Sequence, residues 1–104
     1  MSKKAIENIV KVNVKGEKYI LRLFITGILP NSARAVVNCT AICEKYLKDR
    51  YELKIIDIYQ QPELALEEDL IVIPILIRKS PKPELRIVGD LTNIETVLKE
   101  LGVV

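Results

Sequence analysis

Phe24-Ile-Thr-Gly-Ile-Leu-Pro-Asn-Ser-Ala-Arg-Ala35 decides how this chain is read. Leading into it, Tyr19 to Ile25 is an apolar run interrupted only by Arg22, the pattern of a strand covered on both faces. An amphipathic helix is expected to begin at about Asn31. Between the two, Gly27 supplies backbone freedom and Pro30 a fixed φ, while Asn31 or Ser32 is expected to cap the first free helix N–H groups. In α/β domains such a strand–turn–helix corner commonly carries a redox centre, a phosphate cradle or a docking surface. This corner has no Cys, no Lys and one Gly, which removes the usual means for the first two.

Downstream of the corner, Val36, Cys39, Cys43 and Tyr46 recur at three- and four-residue steps between Ala33 and Lys48, the stripe of a helix with one buried side. Leu53 to Tyr59 reads as a second buried strand, so strand, helix and strand form a right-handed parallel βαβ unit. Pro62 suits the first position of a short helix, with Leu64, Ala65 and Leu70 inward and Glu63, Glu67 and Glu68 toward its N-terminal end or solvent. Ile71 to Ile77 is almost wholly apolar, but Pro74 cannot donate to a sheet ladder and marks a strand start, an edge or a cis turn. Ser80-Pro-Lys-Pro83 is the loop of a hairpin that returns through Leu85 to Gly89. Thr92-Asn-Ile-Glu95 has capping-box spacing before a last helix over Ile94, Val97, Leu98 and Leu101, with Gly102 placed to end it.

The order is β-α-β-α-β-β-α. Its simplest burial is a four-stranded sheet with helices on both faces, an α/β single domain of thioredoxin-like arrangement with Pro74 where that fold usually has a cis-proline. Upstream, residues 1–17 are expected to be an N-terminal extension and 18–104 the domain. Within the extension Ile9-Val-Lys-Val-Asn-Val14 alternates as an extended segment, and Lys15-Gly16-Glu17 could turn it back.

At 104 residues the chain is long enough for one core. The charge of +2 is too small to point to nucleic acid or membrane, and no aromatic platform interleaves Lys3, Lys4, Lys11, Lys15 and Lys18. No apolar run reaches the ~18–20 residues of a membrane span, and no secretory leader stands at the start, so a cytoplasmic location is expected. Histidine is absent, which excludes His-activated nucleophiles and His metal sites from this chain alone. Neither a metal nor a cofactor is expected.

Cys39 and Cys43 share the helix stripe, where i,i+4 spacing puts Cβ atoms about 5–6 Å apart, farther than the ~3.8 Å of a disulfide. Core packing is the expected role, and a thiol oxidoreductase or redox sensor using either cysteine is the alternative. Asp57 and Asp90, near strand ends, have no basic partner set or second carboxylate pattern and read as solvated or as turn residues.

Tyr19-Ile-Leu-Arg-Leu-Phe-Ile-Thr-Gly-x-x-Pro-Asn-Ser-x-Arg-Ala35 resembles the opening of the KaiB circadian clock proteins. The likeness continues through Leu53-Lys-Ile-Ile-Asp-Ile58, Gln61-Pro-Glu-Leu-Ala65, Pro74-x-Leu76 and Arg86-Ile-Val-Gly-Asp-Leu91, covering about residues 18–101. The resemblance implies a non-catalytic clock or timing regulator that binds a KaiC-type ATPase ring and modulates its phosphorylation cycle, with stress response as another setting. It also implies a homo-oligomer (dimer or tetramer) in the free state and fold switching in the C-terminal half. Arg22, Arg34 and Lys54 stand in the matching segments and are the expected partner-binding residues. Gly27, Pro30, Asn31, Ser32 and Pro74 are the expected structural corner. One departure is Asp69, where cyanobacterial members usually carry Lys. The last helix, made mostly of adequate or good helix formers between a capping box and Gly102, is expected to make this chain favour the thioredoxin-like state more than clock members do.

Overall fold

The apolar runs pair out of chain order. The computed structural model describes residues 17–103, so the expectations for Ile9–Val14 and for most of the Lys15-Gly16-Glu17 turn lie outside the described residues. The elements are β1 (Tyr19–Ile25), α1 (Pro30–Tyr46), β2 (Tyr51–Asp57), α2 (Pro62–Glu67), β3 (Ile75–Ser80), β4 (Leu85–Val88) and α3 (Ile94–Leu101). The sheet order is β2-β1-β3-β4, with β1 parallel to β2 and antiparallel to β3. This is the expected mixed α/β domain.

Alternation along the strands divides the core in two. Tyr19, Leu21 and Leu23 of β1, Leu76 of β3 and Ile87 of β4 point to one face. There they meet Ala35, Cys39, Ile42 and Cys43 of α1 and Val97, Leu98 and Leu101 of α3. Each fully buried Leu or Ile contributes about 1.5–3 kcal/mol, so this closed face carries most of the apolar stabilisation. The other face has a smaller cluster of Phe24, Ile56, Ile75 and Ile77, against which Ile58, Leu64, Leu70 and Ile73 are half-buried. A six-residue α2 covers only part of it, and no residue of that helix is fully buried. We call this the open face.

Four local expectations are corrected. β2 is not a second doubly covered strand. It starts and ends two residues earlier than expected, lies at the sheet edge, and buries only Ile56 completely. An edge strand above a short helix has too little covering it.

Neither Asn31 nor Ser32 caps α1. Pro30 holds the first helical position, which moves the cap to Leu29 and leaves it without a side-chain bond. The Ser32 hydroxyl, now one turn in and buried, accepts the amide of Thr26 at 3.1 Å and ties the helix back to the end of β1.

The capping box at Thr92 is displaced by one residue. Asn93 Oδ1 accepts the Thr96 amide at 3.2 Å, while the Thr92 hydroxyl donates to Asp90 Oδ1 at 2.6 Å. A carboxylate two residues away captured the hydroxyl, and the next polar side chain took over the cap. Gly102 ends the helix in the left-handed conformation at φ 82°.

Gly27 is needed for space, since its φ is not positive. A Cβ built there would lie 2.7 Å from Asp57 Oδ2, the oxygen that accepts the Gly27 amide at 3.0 Å. Pro74 follows a cis peptide bond and immediately precedes β3.

Candidate functional site

Strand register assembles a row of cations across the open face. Arg22 is the register partner of Lys54 on β2 and of Ile77 on β3, and Ile77 is in turn the partner of Arg86 on β4. Directly opposed residues share a face, so Lys54, Arg22 and Arg86 stand in one line with Ile77 between the last two. Like charges directly opposite on neighbouring strands cost stability. Lys54 is exposed and makes no ion pair among the described residues.

One carboxylate restrains the rest of the row. Glu68, at the C-terminal cap of α2, is only 7% exposed. It lies 3.3 Å from Arg22 Nη1, 2.9 Å from Lys79 Nζ and 3.1 Å from Arg86 Nη2. Lys79 reaches Glu84 as well, at 3.1 Å. The hydrogen bond that Lys79 donates to Glu68 raises the Lys79 pKa above its ordinary value, against the opposing effect of burial. Lys54, Arg22, Lys79 and Arg86 outnumber Glu68 and Glu84, the two carboxylates paired with members of this group. The solvent-facing position expected of Glu68 is therefore corrected. The helix ends one residue before it, and the three cations compensate its burial. Lys79 and Arg86 become readable as part of the site only when the β3–β4 hairpin is laid beside β1.

Next to the cations on the same face, Ile58, Tyr59, Pro62, Leu66, Leu70 and Ile71 line a surface groove of about 580 Å³. Leu66 is 77% and Ile71 98% exposed, so an apolar surface adjoins the charged one. Asp69 also lines the groove, in a left-handed backbone conformation.

Arg34 is not part of this row. It extends from α1, on the other side of the sheet, and its Nε donates to Asp90 Oδ2 at 2.8 Å. The Thr92 hydroxyl first, and Arg34 second, lower the Asp90 carboxyl from its ordinary 3.8 to about 2. Asn38 Nδ2 donates to the Asp90 carbonyl at 2.8 Å, so Asp90 fastens α1 to the turn before α3. Asp57 has the corresponding job at the corner, accepting the amides of Gly27 and Tyr59. Asp57 closes β2 and Asp90 fastens a turn, but the expectation that neither has a basic partner is corrected for Asp90, which pairs with Arg34.

The two thiols lie far from solvent, Cys39 1% and Cys43 0% exposed, well inside α1. Their mutual hydrogen bond, with burial second, pushes the Cys39 thiol well above its ordinary range. A nucleophilic cysteine needs access and a lowered pKa. Cys39 has neither.

Among the described residues no helix is long and apolar enough to cross a membrane. Residues 22–103 match the KaiB domain family. The circadian clock protein KaiB3 of Synechocystis sp. is 44% identical over 87 residues, 84% of this chain and 85% of that one. The circadian clock oscillator protein KaiB of Thermostichus vulcanus is 44% identical over 80 residues, 77% of this chain and 74% of its own. Among solved structures, the N-terminal domain of Synechococcus elongatus SasA superposes with a TM-score of 0.66 at 22% identity, covering 82% of this chain and 80% of that one. Mitochondrial thioredoxin 3 of Saccharomyces cerevisiae gives 0.65 at 14% identity, covering 90% and 89%. These two likenesses concern the fold, and they place it among thioredoxin-like domains.

Proposed function

This chain belongs to the KaiB family, and on that premise we propose that it docks on a KaiC-type ATPase ring and modulates the ring's phosphorylation cycle. A clock-regulator role follows from the family itself, and the chain is non-catalytic. The partner, the docking face and a setting in timing or stress response are the proposal. With them go a KaiB-like domain over residues 18–104, a free-state dimer or tetramer, and a second packing of the C-terminal half.

The observation that carries the reading is the cation row on the open face. Arg22 is partnered by Glu68, but Lys54 directly opposite it adds like-charge repulsion and has no ion pair among the described residues, which stability alone does not call for. An acidic partner surface would neutralise both and be steered toward them during encounter. The adjoining exposed Leu66 and Ile71 would add apolar contact in the same footprint. Arg34, paired with Asp90 on the other side of the sheet, lies outside this footprint and belongs to a separate contact.

The test is size exclusion with light scattering, using this protein and the KaiC-type ATPase of its own genome in the presence of ATP. A co-migrating complex is expected. Arg22→Glu and Lys54→Glu should each weaken it by about tenfold or more, and Arg34→Glu by less. The ATPase reading is lost if no complex forms after long incubation at high concentration. A complex indifferent to both reversals on the open face would leave the partner standing and remove the face.

A further inference from the structure

The outer edge of β2 has no neighbouring strand among the described residues, and the backbone fixes which groups it offers. Tyr19 N–H donates to the Arg50 carbonyl and Ile58 N–H to the Ile25 carbonyl, each at 2.9 Å. With the register unbroken from Tyr19↔Tyr51 to Ile25↔Asp57, Glu52, Lys54 and Ile56 turn their N–H and C=O groups toward β1. Tyr51, Leu53 and Ile55 turn theirs outward. The side chains of these three lie on the closed face, where Ile55 is left 41% exposed. Glu52 and Lys54 are exposed on the open face.

Charge on an edge strand, lysine above all, normally blunts it. The order of the charges on β2 has the opposite effect. When a strand pairs antiparallel with its own copy, a two-fold axis passes through one residue, and positions equally far on either side stand opposite each other. An axis at Leu53 sets Leu53 against the copy's Leu53, Tyr51 against its Ile55 and Glu52 against its Lys54. All the outward-bonding residues then face one another, so each N–H meets a C=O. Apolar side chains meet on the closed face and opposite charges on the open face. Neighbouring axes fail. One at Ile55 opposes Leu53 to Asp57 and Lys54 to Ile56, and one at Lys54 opposes lysine to lysine.

We infer that β2 pairs edge to edge with β2 of a second copy of this chain, antiparallel about a two-fold axis at Leu53. Lys54 stands opposite Arg22, so the copy's Glu52 relieves a like-charge contact that one chain alone leaves in place. Within the chain Glu52 lies 3.4 Å from Lys18, with the two side chains 64% and 60% exposed. Such a surface pair is weak and leaves the carboxylate available. The two β1 strands come to lie three strand spacings apart, about 14 Å, which leaves room for both α1 helices above them. This inference rests on the free-state oligomer proposed above, to which it gives a surface, and it does not involve the ATPase.

Two paired edges make a small contact, so the dimer is expected to be weak, populated at about 0.1–1 mM. The test is sedimentation equilibrium of the full chain over that range, with Glu52→Lys and Lys54→Glu measured separately and mixed. Each variant alone sets like charges opposite and should weaken self-association by about tenfold or more. In the equimolar mixture every cross-strand pair is again of opposite sign, and the dimer should return. By NMR, exchange of the wild-type Leu53 and Ile55 amides should slow as concentration rises, while that of Leu23 stays unchanged. A monomer at every concentration would remove the edge pairing and the free-state oligomer together. A dimer indifferent to both variants would keep the oligomer and overturn the edge. A mixture that stays monomeric would also overturn it, as would Leu53 and Ile55 amides protected equally at every concentration.

Discussion

The two faces of one sheet are built on opposite terms. On the closed face, Leu21, Leu23 and Leu76 meet two helices, and Arg78, the only buried charge there among the described residues, donates to the carbonyls of Leu101 and Pro83 at 2.7 Å each. On the open face a six-residue helix leaves room for Arg22, Lys54, Lys79 and Arg86 around one buried Glu68. The closed face spends its side chains on holding the fold. Beside the Glu68 network the open face keeps Lys54, which has no ion pair among the described residues, and exposed apolar surface, and this is why it is the candidate for docking.

The largest test of that division is Leu76→Ala on the closed face. It should cost about 3–4 kcal/mol, within the usual range for emptying a packed core site, as read by denaturant unfolding. Glu68→Ala comes next. Removing the shared partner of three cations should cost about 2–3 kcal/mol, less than the 3–5 kcal/mol of a fully buried pair because the cations remain partly solvated. It should still leave the cations able to meet an acidic surface, so stability falls while complex formation persists. If both fell together, Glu68 would be shaping the docking face itself. Asn93→Ala, which removes the cap of α3, should cost about 1 kcal/mol.

The smallest effects separate the faces by pH. Lys79 has a raised folded-state pKa. Its contribution is fully present below its ordinary 10.5 and is lost as pH rises through the raised value, so Lys79→Gln should flatten the alkaline limb of stability. Asp90 has a lowered one, about 2. Its contribution is present above its ordinary 3.8 and is lost as pH falls toward 2, so Asp90→Asn should flatten the acid limb. An alkaline limb unchanged in Lys79→Gln would remove Lys79 from the Glu68 network.

Periodicity was enough for the architecture. β1, the start of α2 at Pro62, the β3–β4 hairpin and the Gly102 stop lie where the runs and breakers put them. What escaped was set by neighbours distant in sequence. Nothing near Glu68 tells that it turns under the sheet, because its three partners come from β1, β3 and β4. Ser32 looks like a cap until Pro30 is seen to start the helix. Thr92 looks like one until the Asp90 carboxylate takes its hydroxyl. Arg22, Arg34 and Lys54 read as one set along the chain, yet the sheet divides them, two on one side and one on the other.

The division of labour between the faces is tested most directly by titrating unlabelled KaiC-type ATPase, with ATP, into isotope-labelled protein and following amide signals residue by residue. Loss should begin at Arg22, Lys54, Lys79 and Arg86 and in the groove residues Leu66 and Ile71, while Arg34 and Val37 on the exposed side of α1 keep their intensity longest. Loss beginning at Arg34 and Val37, with the cation row unaffected, would contradict the account.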